Sequence, residues 1–397
     1  MFLPGLISAQ ALTPVWLELG PDDALLARVV VEMNSSCPEL RADAHPLPMH
    51  VREPIPEGLK PLCQAVVPPA TRSLRWGRHA LKLPRTPRRV VVIGDTGCRV
   101  KAGQLQACED PALWPFAAVS AQVAERRPDL VIHVGDYLYR EGPCPAFARG
   151  CGGPHGDTWD AWNADFFAPA RKALPVAPWI FARGNHENCL RSYRGWFYYL
   201  DPRPFSETCS EYTAPYVARS GTLRLGVVDS ASTQDVPTTQ PAQIPIYAQQ
   251  LRTLSGRADW IVDHHPFWGY TSNNFKLAPT QLTLGPAWEQ ARPEGIRLVL
   301  SGHVHLFEFL AFESGRPDQI IAGDSGTELD SGLTLDRSGN SVVGVRVKAG
   351  EVNMSFGLTE LDRESSGWTL TLRTATGLSR LSCNIPDSGT AACAGRP

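Results

Sequence analysis

The stretch Val90-Val91-Val92-Ile93-Gly94-Asp95-Thr96-Gly97 decides how this chain is read. Four β-branched residues in a row suit a strand buried on both faces, and the glycine after them lets the backbone turn sharply and approach a ligand. The texture recurs at Leu130 to Gly135, Trp179 to Arg183, Leu223 to Asp229, Trp260 to Asp263 and Leu298 to Gly302, each apolar run giving way to a polar turn. Helical candidates at Ala112 to Glu125, Trp159 to Leu174 and Ile246 to Leu254 separate the runs. This alternation predicts an α/β core with helices covering the sheets. After Gly323 the pattern turns hairpin-like, at Val342 to Val347, Val352 to Phe356 and Trp368 to Arg373, and predicts an antiparallel closing sheet.

Around that core the chain divides by composition. Residues 14–86 carry short β-rich pieces among many prolines and read as a small β-rich N-terminal domain. The α/β domain follows at 87–330, and 331–397 form a hairpin-rich C-terminal part packing on it. Residues 1–13 read as a signal-peptide remnant or a disordered start: Phe2 to Ser8 is apolar and Ala9-Gln10-Ala11 has the small-x-small cleavage pattern, but a basic n-region is missing.

With 397 residues, 43% of them hydrophobic and 20% charged, the chain can bury a sizeable core and is not of a disordered composition. A net charge of −2 supplies no basic field for nucleic acid, and no apolar run reaches the length of a membrane span. The ten cysteines fall into successive pairs without any CxxC, which favours five local disulfides over free buried thiols and so a secreted or periplasmic protein.

The chemistry gathers where the predicted strands end. Gly94-Asp95-Thr96-Gly97, Gly135-Asp136-Tyr137-Leu138-Tyr139, Gly184-Asn185-His186-Glu187, Val262-Asp263-His264-His265 and Gly302-His303-Val304-His305 follow one another along the chain. Strand ends are where α/β folds place ligands. Carboxylates, an amide and imidazoles converging there are the ligand set of a pair of hard or borderline cations.

In this order the motifs resemble the signature of the calcineurin-like metallophosphoesterases, and Tyr139 narrows the resemblance to purple acid phosphatases (DxG, GDxxY, GNH(D/E), VxxH, GHxH). The likeness spans Asp95 to His305, about half of the chain. It implies a four-layer sandwich of two mixed β-sheets flanked by helices, and two metal ions. Asp95, Tyr139 and His305 would bind the first, Asn185, His265 and His303 the second, and Asp136 would bridge them. A carboxylate can span cations about 3.5–4 Å apart. A phenol with a pKa near 10 gives up its proton only to a strongly polarising cation, so Tyr139 suits Fe³⁺, with Fe²⁺, Zn²⁺ or Mn²⁺ beside it.

The resemblance gives His186 the task of contacting phosphate and protonating the leaving alkoxide, which fits a group titrating near neutrality. Glu187 would orient a neighbouring imidazole or lie solvated, His264 would face substrate or pack, and Arg183 would touch phosphate or pair structurally. Trp268 and Tyr270 would wall the pocket or belong to the core. The expected function is a phosphoester hydrolase acting on small phosphate esters, a purple acid phosphatase-like phosphomonoesterase with a metal-bound hydroxide as nucleophile. A phosphodiesterase or nucleotide pyrophosphatase on the same site, and a metal-stabilised binding protein without turnover, are the alternatives.

Overall fold

Two large mixed sheets face each other across the main core, as the computed structural model of residues 10–395 shows; residues 102, 237, 274–275, 314, 331–336 and 390 are not described. In the first sheet Arg89–Ile93, Leu130–His133 and Pro178–Phe181 run parallel side by side. In the second, Leu223–Val227, Trp260–Val262, Leu298–Ser301 and Asp318–Ala322 do the same. The two-residue strand period sorts their side chains. Val90, Val92, Leu130, Ile132 and Ile180 meet Trp260, Val262, Leu298, Leu300 and Ile320 between the sheets. Val91, Ile93, Val131 and Trp179 point the other way and pack on the helix Phe116–Arg126 through Phe116, Val119 and Val123. Ile261 and Val299 pack on Ile244–Leu254 and Leu284–Ala291. The result is a four-layer α/β sandwich whose parallel strands deliver their carboxyl ends to one region.

The first sheet continues into both chain ends. Trp16–Leu19 pairs parallel with Pro178–Phe181, and Leu25–Val30 and Leu62–Val66 extend the sheet beyond it. Glu39–Ala42, His45–Pro48, Leu74–Trp76 and His79–Leu81 form a separate four-stranded sheet. Arg28, fully buried, ties these strands down: it pairs with Glu18 at 2.7 Å and donates to the carbonyls of Tyr199 and Asp201. On the opposite side Gly357–Glu364 lies antiparallel to Arg89–Ile93 and is followed by the strands Gly367–Thr374 and Ser379–Pro386. Of the start expected at 1–13, residues 1–9 lie outside the described residues; Ala11 already bridges Val31. Among the described residues no helix is long and apolar enough to cross a membrane.

Two expected elements differ. The helix expected at Trp159 to Leu174 is broken into an α-turn Trp159–Trp162, a π-turn Asn163–Phe167 and a 3₁₀ turn Pro169–Lys172. Pro169 cannot supply a helical N–H, and the π-turn carries Asp165, whose carboxylate accepts from the backbone N–H of Tyr139 (2.9 Å) and of Arg140 (3.2 Å). The hairpin expected between Val342 and Phe356 is instead one strand, Val345–Asn353, bulged opposite Ala311 and Phe312. Gly350 makes no turn there; a Cβ on it would run into the side chain of Arg337.

All ten cysteines form the successive pairs: Cys37–Cys63, Cys98–Cys108, Cys144–Cys151, Cys189–Cys209 and Cys383–Cys393. Closing a loop of this length removes unfolded-state entropy worth about 3 kcal/mol. The double substitution Cys98→Ser with Cys108→Ser should therefore lower unfolding free energy by about 2–3 kcal/mol in guanidinium titrations. An unchanged midpoint would mean that the bridge constrains nothing.

Candidate metal centre

The turns that carry the motifs are held in unusual backbone conformations. Asp95 (φ 54°), Asp136 (φ 61°) and His303 (φ 73°) are all left-handed without being glycine. Such residues cost roughly 1–3 kcal/mol each and persist only where surrounding structure imposes them. Here neighbouring turns are laced together: Asp95 N–H donates to Gly135 O, Thr96 N–H to Asp136 O and Thr327 N–H to Asp95 O. Glycines let them close up, since a Cβ at Gly184 would collide with the Asp136 carboxylate and one at Gly302 with that of Asp95.

Tyr139 sits at the middle of the first group. Its hydroxyl lies 3.0 Å from Asp95 Oδ1, 2.7 Å from Asp136 Oδ2 and 2.9 Å from His305 Nε2, with Tyr139 and Asp95 fully buried. One phenolic hydrogen cannot serve both carboxylates; a cation among these oxygens and the imidazole nitrogen can balance them together. Burial and the charges of Asp136 and Asp95 push the phenol well above its ordinary pKa, so only a strongly polarising ion would turn it into a phenolate ligand. The donor chemistry thus fits a metal.

The imidazoles are likewise held in defined directions. His264 holds Val134 O through Nδ1 (2.8 Å) and aims Nε2 at the Asn185 amide (2.9 Å) and Asp136 Oδ2 (3.3 Å). His303 holds Asp235 through Nε2 (2.6 Å) and aims Nδ1 at Asn185 (3.1 Å); His305 holds Glu328 O through Nδ1 (3.0 Å) and aims Nε2 inward. A ring fixed by one nitrogen presents the other as a ligand. The Asn185 amide can turn its nitrogen inward, donating to Asp136 Oδ2 at 3.2 Å with its oxygen on Arg191, or its oxygen inward as a ligand. Ligand atoms of Asp95, Asp136 and His264 lie within 4.8 Å of one another, as do those of His264, His265 and His303. His264, expected to face substrate or pack, therefore belongs to both groups. His265, expected among the ligands, is a member of the second group; its ring lies against that of His303 and its Nδ1 is buried without a partner among the described residues.

A family profile described as calcineurin-like phosphoesterase matches residues 88–307. The chain belongs to the calcineurin-like phosphoesterase family. It is a phosphoester hydrolase, and the family works with a dinuclear metal centre. No curated protein matches it in sequence. Among solved structures the fold is similar to purple acid phosphatase PPD1 from yellow lupin (Lupinus luteus) seeds, at 13% identity and TM-score 0.59 over 96% of this chain and 74% of that one. It is also similar to PhoD, at 12% identity and TM-score 0.57 over 98% and 93%.

The remaining candidates of this calcineurin-like site differ in whether they border the donor groups or lie behind them. His186 is 5% exposed, stacks on Tyr139 and lies 3.9 Å from Asp136 Oδ2. Its Nδ1 is 2.8 Å from Glu141, a residue that sequence reading passed over although it stands two positions after Tyr139. Burial lowers the His186 pKa, against the opposing pull of Asp136 and Glu141. Glu187 neither orients an imidazole nor reaches solvent. Fully buried and pushed up to about 8 by burial, it accepts from the N–H groups of Tyr137, Leu138 and Gly184 and so binds one turn to another.

Arg183 does not reach the site either; it pairs with Asp229 at 3.1 Å and donates to Glu187 O and Ser210 O behind the turn. Trp268 and Tyr270 are core aromatics. Asp235, which anchors His303, and Arg99, 2.9 Å from His305 Nδ1, come from loops with no motif to announce them. Because Arg183 leaves a buried partner behind, Arg183→Ala should cost about 3–5 kcal/mol in denaturant unfolding. Unchanged stability with a raised KM would return it to phosphate binding.

Proposed function

We propose that this phosphoesterase is a dinuclear-metal phosphomonoesterase of the purple acid phosphatase type. The observation that carries the reading is the Tyr139 hydroxyl lying among Asp95, Asp136 and His305. We assign Asp95, Asp136, Tyr139 and His305 to one ion, Fe³⁺, and Asp136, Asn185, His264 and His303 to a divalent ion (Fe²⁺, Zn²⁺ or Mn²⁺). Bound there, two ions supply Lewis acidity toward the phosphoryl oxygens and make water nucleophilic at low pH. The segment 87–330 then carries the chemistry, with 14–86 and 331–397 as supporting parts. Five disulfides support a secreted or periplasmic location.

His186 is assigned the leaving-group proton. Glu141 holds its Nδ1 side, so the Nε2 side faces the Asp136 edge of the centre, where the ester would lie. Since burial keeps its pKa below the ordinary histidine value, the protonated form belongs to acid solution, and turnover of esters with poor leaving groups should fall as pH rises.

Elemental analysis with an absorption spectrum tests the centre. The purified protein should carry about two ions per chain and a visible phenolate-to-iron band that Tyr139→Phe removes. His264→Ala should lose one ion, whereas His265→Ala should keep both. An iron-containing but colourless protein, or loss of metal from His265→Ala alone, would overturn these assignments.

The proton role has a separate readout. His186→Ala should retain metal and lose roughly 10²- to 10⁴-fold in kcat on an alkyl phosphate. Nitrophenyl phosphate, whose leaving group scarcely needs a proton, should suffer far less. Equal losses on both esters would make His186 a phosphate binder.

A further inference from the structure

Beside the Asn185 edge of the centre opens a cleft of about 410 Å³, shared by Asn185 and His265 with the loop after Leu223–Val227 and the start of the helix Ile244–Leu254. Arg191 is its one cation among the described lining residues, with Nη1 within 3.2 Å of the Asn185 amide and 3.5 Å of Glu141. The two carboxylates in the lining are already engaged: Glu211 accepts from the Ser232 hydroxyl, and Asp235 holds His303. The unsatisfied groups are neutral. Gln243, 8% exposed, spends its amide N–H on the Tyr212 hydroxyl (2.9 Å) and Ser232 O (3.0 Å), and its Oε1 is buried without a partner among the described residues. Oε1 of Gln240 is in the same condition.

We propose that this cleft is the subsite for the alcohol part of the ester and selects phosphomonoesters of neutral, hydroxyl-bearing alcohols of the glycerol or sugar class. The inference rests on the phosphomonoesterase reading above. Buried amide oxygens lacking donors are costly, and a ligand's hydroxyls remove that cost; an alkyl chain leaves them unpaired. Arg191 stands where the cleft meets the centre and grips a phosphoryl oxygen. A further phosphate in the cleft would meet Glu211 and Asp235 with only this guanidinium to balance it.

Glycerol 1-phosphate and n-propyl phosphate share a carbon skeleton and differ in hydroxyls, so their kcat/KM ratio on the metal-loaded protein reads the subsite directly. Glycerol 1-phosphate should be preferred by about tenfold or more. Gln243→Leu should bring the ratio toward one. Because that change also removes donors to Tyr212 and Ser232, Gln240→Leu is measured in parallel, together with inhibition of nitrophenyl phosphate hydrolysis by free glycerol against free propanol. Arg191→Gln should raise KM for both esters alike. Equal kcat/KM for the two esters in the unsubstituted protein, or a ratio unmoved by both glutamine substitutions, would overturn the subsite while the phosphomonoesterase reading stands. Failure to hydrolyse either ester or nitrophenyl phosphate would overturn that reading and the subsite with it.

Discussion

A buried phenolic hydroxyl crowded by two carboxylates and an imidazole is the constraint on which the rest of this structure depends. Asp95, Asp136 and His305 crowd around Tyr139 OH at 2.7–3.0 Å in a buried place where unbalanced lone pairs and negative charge are unfavourable. The scaffold has to hold those atoms together without help from water. Parallel strands of two facing sheets bring the turns to one region. Backbone bonds between turns hold three non-glycine residues at positive φ, and Asp165 and Glu187 clamp the tyrosine loop from behind. Arg99, over the Tyr139 ring and against His305, places a positive charge beside the acidic pair.

The same logic sets the imidazoles. Each ring that aims a nitrogen inward has its other nitrogen on an oxygen: Val134 O for His264, Asp235 for His303, Glu328 O for His305. Those contacts set the direction of each ring, so the inward-facing nitrogens are aimed by groups one layer further out. The Nδ1 of His265 is buried without such an anchor among the described residues, and the residue lines the cleft.

Both chain ends contribute to this rigidity through the sheet. The β-rich segment before residue 86 adds strands beyond Pro178–Phe181, and the C-terminal hairpins add strands beyond Arg89–Ile93, so the site-bearing strands are interior and paired on both edges. Interior strands are less able to shift register, and a one-residue slip would turn every ligand-bearing turn away from its neighbours.

By itself the sequence determined the layered α/β core and the five turns at its strand ends, because strand periodicity and glycine punctuation are local properties and the motif spacing is linear. The successive cysteine pairing was equally local. Tertiary structure alone brought His264 into both groups of donor atoms. Neighbours at a strand end project in different directions, and that of His264 rests on a carbonyl of the other sheet, Val134 O, that no window around residue 264 contains. Asp235 and Arg99 escaped for the same reason, since a charged residue in a loop has no pattern until the fold sets it against His303 or His305. Arg183 and Glu187 adjoin motif residues in sequence, yet packing turned Arg183 toward Asp229 and Glu187 toward the backbone of the tyrosine turn, because a buried polar group goes where its partners are.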